Sequence, residues 1–375
     1  MKKSLFKWHG YAGLFAFIPI LLICLTGSIL VFKYEIDSLI RGEIVNVSAV
    51  SERLTTDELK NTIHDIYPDY EISGWVLFQE PKRSDVVYLM KKGTPDWYHI
   101  YIDPYSAEIL SPPSEATTYF TDWLVELHAS FLLDHTGLII TTLYALILMF
   151  LGISGLIIYR KFWLNLFKLR TNVRRILFFS DLHKLVGVYS TPFFLILGIT
   201  GGYWNVAHIV HEYEEHAEGE EFVMQERLYS DTISVDEIQK QTEIRMQDFE
   251  ATYIRFPNGE KDHFTFFGDV HPNNPLISEY ASTVSFDRDS GEYISQFDIR
   301  EAQALSVVID TFRRLHFGNF AGIVSKILWC LVGLSPLVLT VTGLYMWFKR
   351  RKQRQAKKQR LNQGLVASKR EYKPN

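Results

Sequence analysis

Residues 10–32 run for 23 positions without a single charged side chain. A helix crossing a bilayer needs about 20 apolar residues at roughly 1.5 Å each, so this run is long enough to span. It exceeds the 7–15 apolar residues of a signal-peptide core, and Leu30-Val31-Phe32 is no small-residue cleavage site. Three further runs of the same kind follow at 136–159, 185–209 and 327–348. Pro19, Pro192 and Pro336 fall inside them, which a bundle tolerates where neighbours satisfy the freed carbonyls. The chain is therefore expected to be a membrane α-helical protein built on a four-helix transmembrane bundle.

Basic residues set the expected orientation. Lys2, Lys3 and Lys7 precede the first run. Arg160, Lys161, Lys168, Arg170, Arg174, Arg175 and Lys184 lie between the second and third, and a denser cluster from Lys349 to Lys358 follows the fourth. With four spans all three clusters share one side, the cytoplasm. The charged segments between spans one and two and between three and four then lie outside, in a periplasm. The expected layout is 1–33 cytoplasmic N-terminus and first span, 34–127 first outer module, 128–160 second span, 161–184 basic loop. It continues with 185–209 third span, 210–315 second outer module, 316–348 fourth span and 349–375 basic tail. Lys326, at the outer end of the fourth span, can snorkel to the interface, and aromatics such as Trp8, Tyr34, Tyr159, Trp163 and Trp347 suit an interfacial belt.

The sequence repeats itself. His9 and Gly27 are 18 residues apart, as are His183 and Gly201; His128 and Gly155 are 27 apart, as are His316 and Gly343. Both outer segments show the same plan. Thr55-Thr56-Asp57-Glu58 caps a helix to about Ile66, followed by strands at Ser73–Gln79, Val86–Lys91 and Trp97–Ile102 and a turn at Asp103–Ala107. Ser234-Val235-Asp236-Glu237 starts the second copy, with strands near Thr252–Phe256, His263–Phe267 and Ser282–Phe286 and a turn at Asp287–Gly291. Each half thus reads as span, α+β module, Leu-His, span, and a two-fold axis along the membrane normal is the natural packing.

That symmetry predicts His9 opposite His183 at one depth and His128 opposite His316 at another. Ionisable residues near a span are costly and mark functional sites. Two imidazoles meeting across a bundle axis are what a b-type haem requires, so two pairs imply two haems. A lone interfacial histidine would be an ordinary polar residue; four at matched spacings are not. The outer pair would reach the lipid depth only if the chain turned near Asp134–Gly137 and Phe317–Gly322. Thr26-Gly27, Ser154-Gly155, Thr200-Gly201 and Thr342-Gly343 read as points of close helix packing, or as room for a flat macrocycle. His208 and His211, at i and i+3 with Glu212, Glu215 and His216 close by, are candidates for an alternative haem ligand or a metal site, and His135 is a further candidate near the outer interface. His64, His99, His263 and His271 read as structural or solvated.

Other classes are disfavoured. A net charge of −4 points to no nucleic-acid partner, and no CxxCH permits covalent c-type haem. No P-loop or Gly-rich dinucleotide turn is present, so electrons would come from a separate reductase or a membrane quinol. Cys24 and Cys330 sit inside apolar runs and read as small packing residues. No acidic or basic residue lies near the centre of a span, which argues against a midplane transport site.

With these residues in view, the chain resembles the PepSY-associated transmembrane proteins, bacterial inner-membrane proteins with four helices and PepSY-like outer modules. The resemblance runs from about residue 5 to 350 and rests on the His9 and His183 spans, the Leu-His leads at 128 and 316, and the two outer modules. It implies a function similar to that of di-haem reductases that reduce a ferric siderophore, or another ferric chelate, on the periplasmic side. A membrane-anchored PepSY module that binds or regulates peptidases, without redox activity, is the alternative.

Overall fold

The computed structural model describes residues 2–49, 52–217, 222–259 and 261–371. Four stretches are long and apolar enough to cross a membrane: Lys3–Leu30, Asp134–Ile158, Arg175–Val210 and Gly322–Gln363. The first lies in α1 (Lys2–Leu30). Short helices α2 (Lys33–Ile40) and α3 (Gly42–Val45) lead into the first α+β segment, which holds α4 (Thr56–Ile66) and strands β1 (Tyr70–Val76), β2 (Asp85–Lys91) and β3 (Trp97–Ile102). Helix α5 (Phe120–Ser130) then precedes the second span, α6 (Asp134–Ile158). After a one-turn helix, α7 (Arg175–Ala217) is the third span. The second α+β segment contributes α8 (Val235–Arg245), β4 (Glu250–Arg255), β5 (Phe264–Asp269), β6 (Ser282–Phe286) and β7 (Tyr293–Phe297). Helix α9 (Ala304–Phe317) precedes the fourth span, which is broken at Leu334 into α10 (Gly322–Gly333) and α11 (Ser335–Glu371). The break falls just before Pro336, which lacks the N–H a continuous helix would need.

The spans form a closed ring. α1 packs on α6, α6 on α7, α7 on α11, and α11 on α1. α1 and α7 therefore stand at opposite corners, and side chains from both can meet on the bundle axis. Phe15 and Ile18 on α1, and Ile139 and Leu146 on α6, are exposed, as a lipid-facing surface requires. The sheet lies at one end of this bundle, called here the sheet side; the basic loop and tail lie at the other, the tail side.

The two α+β segments do not form separate units. Their strands join into one seven-stranded antiparallel sheet in the order β3-β2-β1-β4-β5-β6-β7. The seam is β1 against β4, with Trp75 opposite Ile254. One face of the sheet carries the core: Ile72, Trp75, Val87, Leu89, Ile100, Ile254, Phe264, Phe266 and Phe286 are fully buried there beneath α4 and α8. The two helices meet at their N-termini and exchange carboxylates. Asp57 accepts from the amides of Val235 and Asp236 and the Ser234 hydroxyl, and Asp236 accepts from the amides of Thr56 and Asp57. Each acid thus caps the partner helix, where unpaired N–H groups and the helix dipole favour negative charge. Burial opposes the Asp57 charge, but Lys60, Ser234 and the Asp236 amide together hold it below the usual carboxylate range.

The turns at Asp103–Ala107 and Asp287–Gly291 close in the same way. The amides of Ala107 and Gly291 donate to the carbonyls of Asp103 and Asp287 at 3.0 and 2.9 Å. Both residues are left-handed, with φ of 61° and 70°.

Candidate functional site

Helices α5 and α9 are not the beginnings of spans two and four. The second span starts at Asp134 and the fourth at Gly322, not at 128 and 316, because the chain reverses between each Leu-His helix and the span that follows. In the first half Phe131, Leu132 and Asp134 are all left-handed, with φ of 53°, 60° and 47°. Gly137 then lies against the Ser130 carbonyl so closely that no Cβ would fit. In the second half Gly318 and Gly322 make the reversal, with φ of 69° and 56°, which glycine adopts without steric cost. Each reversal folds the Leu-His helix back beside the bundle, α5 against α1 and α6 and α9 against α7.

Both helices are fixed from above. Thr121 on α5 donates to Asp37 at 2.6 Å, and Arg41 clamps the same carboxylate through Nε and Nη2 at 3.1 and 2.9 Å. Arg41 and Lys33 also pair with Asp122 on α5, at 3.4 and 2.7 Å. On α9, Asp310 accepts from the Ser278 amide and hydroxyl at 2.7 and 2.6 Å.

The result is two pairs of histidine rings. His9 and His183, on the diagonal helices α1 and α7, have ring centroids 6.5 Å apart; His128 and His316, on α5 and α9, have centroids 6.1 Å apart. Seventeen residues of α1 separate the level of His9 from that of Thr26, which touches His128. At about 1.5 Å per residue the pairs lie roughly 25 Å apart along the bundle.

Each ring rests on a hydroxyl-glycine pair of the neighbouring span in its own half. His9 Nδ1 is 2.8 Å from Ser154 Oγ, His128 Nδ1 3.1 Å from Thr26 Oγ1, His183 Nδ1 2.8 Å from Thr342 Oγ1, and His316 Nδ1 2.9 Å from Thr200 Oγ1. The adjoining glycine admits the ring. A Cβ at Gly27 would lie 2.8 Å from His128 Cε1, and one at Gly201 would lie 3.0 Å from His316 Cε1. At Gly155 and Gly343 the corresponding gaps to His9 and His183 are 3.7 and 3.5 Å. Gly27 and Gly201, read from sequence as points where helices pack together or as room for a flat macrocycle, are imidazole seats, while a Cβ at Gly155 or Gly343 would be in ordinary contact.

At His128 a partner fixes which ring nitrogen carries the proton. The three threonine hydroxyls donate to carbonyls of their own helix: Thr26 to Leu22 at 2.9 Å, Thr200 to Ile196 at 2.8 Å and Thr342 to Val338 at 2.7 Å; Ser154 donates to Leu151 at 3.3 Å. A hydroxyl has one proton, so an oxygen that donates to its own helix accepts from the imidazole. His128 Nδ1 also donates to the Ile23 carbonyl at 2.9 Å, a group that can only accept. The neutral His128 ring therefore holds its proton on Nδ1, and its Nε2 keeps a lone pair. This is how metal-binding histidines are oriented by their outer partners. Two imidazoles facing each other across a bundle axis could both be held by one metal group. Both pairs meet in that way, so the donor set fits a bis-imidazole metal group.

His135 lies in the first turn of α6 and His208 lies seven residues beyond Gly201 on α7; His208 is near Glu126. The side chains of His211, Glu212, Glu215 and His216 lie outside the described residues. Among the described residues no group of three or more His, Cys, Asp or Glu side chains could hold a metal. His64 and His99 are held in the sheet domain beside Glu71 and Asp122, and His263 and His271 pair with acids near its surface. Lys326 pairs with Glu35 at 2.5 Å.

Residues 6–350 match the PepSY-associated TM region. The chain belongs to the PepSY-associated transmembrane family. It is also 22% identical to the uncharacterized protein PA4219 of Pseudomonas aeruginosa, over 66% of this chain and 68% of that protein. Family membership and four apolar helices make this PepSY-associated protein a multi-pass membrane protein.

Proposed function

We propose that this protein is an inner-membrane reductase that carries electrons from the cytoplasm to a ferric chelate, such as a ferric siderophore, on the sheet side, taken as the periplasm. The observation that carries this reading is the pair of ring pairs, with centroids 6.5 and 6.1 Å apart. A haem b held by His9 and His183, and a second held by His128 and His316, would supply one-electron transfer at each depth. The chain's own contribution is positional. Ser154, Thr26, Thr342 and Thr200 hold each ring through Nδ1, Gly27 and Gly201 admit the His128 and His316 rings, and the apolar spans exclude water. The roughly 25 Å between pairs approaches the ~30 Å hydrocarbon thickness, so the pairs serve opposite faces. The basic residues of the N-terminus, loop and tail support placing the tail side in the cytoplasm, where a separate reductase or a quinol would donate.

The same reading treats the two halves as an internal repeat, with the sheet as two PepSY-like modules fused at β1 and β4. Ferrous iron binds hydroxamate or catecholate oxygens far less tightly than ferric iron, so one electron releases the metal. In the test, purified protein is reduced with dithionite, excess reductant is removed, and a ferric chelate is added with a ferrous-specific dye. Reoxidation of the haem bands together with ferrous iron supports the reading. Haem bands that stay reduced in the presence of ferric chelates overturn it.

A further inference from the structure

The layer between the sheet and the mouth of the bundle is rich in arginine and tyrosine. Tyr88 lies between the fully buried core residues Val87 and Leu89. Strand alternation turns it to the opposite face, toward the spans, where it keeps 39% of its surface exposed. Tyr253 shares that face and meets the Tyr280 ring at 6.5 Å. Arg83 sits between Phe78 and Tyr34, with its guanidinium 3.4 and 4.3 Å from the ring centroids. Arg313 on α9 lies 4.4 Å over Tyr280 and 5.0 Å over Phe317. Phe317 in turn lies 5.9 Å from the His316 ring. A stacked series Tyr280, Arg313, Phe317 thus ends on the sheet-side histidine pair.

The charges of this layer are unevenly matched. Arg41 and Lys33 are answered by Asp37 and Asp122, and Lys326 by Glu35. Arg313 and Arg314 share the single carboxylate of Glu279, each at 3.4 Å. Glu80, 3.8 Å from Arg83, is 64% exposed. Among the described residues, five of the eight buried polar side-chain atoms without a hydrogen-bond partner belong here: Glu35 Oε2, Arg41 Nη1, His99 Nε2, Arg314 Nε and Asn319 Oδ1. Such a concentration marks a polar layer rather than an apolar core.

We propose that this layer is the acceptor-binding chamber, and that Arg83 and Arg313, with Tyr34, Tyr88, Tyr253 and Tyr280, select an anionic aromatic ferric chelate of the catecholate or phenolate class. Guanidinium groups already stacked on rings are preorganised to pair with phenolate oxygens, and the tyrosine faces stack on aryl groups. This inference rests on the proposed reductase reading, and its test does not depend on electron transfer.

Full-length, haem-loaded protein in detergent is titrated with gallium(III) chelates, which are redox-inert, and intrinsic fluorescence reports binding. The expected result is that anionic gallium tris-catecholate binds at least about tenfold more tightly than neutral gallium tris-hydroxamate, as one lost charged hydrogen bond implies. Arg83→Gln and Arg313→Gln should each weaken the catecholate complex by about tenfold or more while leaving the haem bands intact. Equal or tighter binding of the neutral chelate by the unaltered protein overturns the proposal. So does catecholate binding that survives both substitutions. A haem-free protein that still prefers the anionic chelate would uphold the chamber while removing the reductase reading.

Discussion

The imidazole seats make a prediction that separates the two ring pairs. In Gly27→Ala the new methyl would stand 2.8 Å from His128 Cε1, whereas in Gly155→Ala it would stand 3.7 Å from His9 Cε1. The second distance is ordinary van der Waals contact; the first requires the His128 ring to retreat by roughly 0.7 Å or more, given carbon–carbon contact at about 3.5–4.0 Å. His128 has little room to retreat, because its Nδ1 is held by both Thr26 and the Ile23 carbonyl. Overpacking of this kind costs about 1–3 kcal/mol, and a shift of that size would disturb a metal bond that tolerates only a few tenths of an ångström. Gly27→Ala should therefore lose the sheet-side haem and keep the tail-side one, halving the haem content of the purified protein. Gly155→Ala should keep both. Haem extraction and the reduced-minus-oxidised spectrum measure the outcome. The reasoning is refuted if Gly155→Ala loses as much haem as Gly27→Ala, or if Gly27→Ala keeps the full complement.

Three further outcomes are expected. Thr200→Val removes the hydroxyl that holds His316 Nδ1 and should weaken haem retention at the sheet-side pair by about 10- to 100-fold, while Thr26→Val should have a smaller effect because the Ile23 carbonyl still holds His128; haem dissociation rates compare them. Asp57→Ala removes the cap that α4 supplies to α8 and should destabilise the sheet domain by about 1–2 kcal/mol, read as a lower thermal midpoint by circular dichroism. Glu71 is buried, which opposes its charge, yet His64, Lys92 and Arg227 together pull its pKa from 4.5 to about 2. A depressed carboxylate contributes stability that is complete above pH 4.5 and is lost as pH falls through about 2, a total of about 3 kcal/mol. Glu71→Gln should flatten that acid limb, and an unchanged slope between pH 4.5 and 2 would contradict the assignment.

The spans were legible because an uncharged run of 23 residues has no other stable home than a bilayer or a signal peptide. Strand β6 was legible because buried residues alternate along it. The seam of the sheet was not. β1 and β4 lie some 180 residues apart, and nothing in Tyr70–Val76 says that its second neighbour is Glu250–Arg255 rather than solvent. The histidine pairs followed from equal spacing, but their seats did not. Seating His128 on Gly27 requires α5 to fold back beside α1, through left-handed Phe131, Leu132 and Asp134, residue types that carry no such signal. The second half writes the same reversal with Gly318 and Gly322, and there the sequence was informative. The 18-residue His-to-Gly spacing has its reason in the structure: α1 carries His9 and Gly27 and α7 carries His183 and Gly201, so the distance between ring and seat is set by the depths of the two pairs.

The central claim is that the four histidines work as two pairs at two depths. Haem per chain, measured on protein purified from haem-replete cells, tests it most directly, with the unaltered chain set beside His9→Ala, His183→Ala, His128→Ala and His316→Ala. The account predicts two haems with split visible bands on reduction. It predicts one haem in each single variant, with matching residual spectra for His9→Ala and His183→Ala and a different matching pair for His128→Ala and His316→Ala. A colourless chain, or four variants that keep the full haem complement, would contradict it.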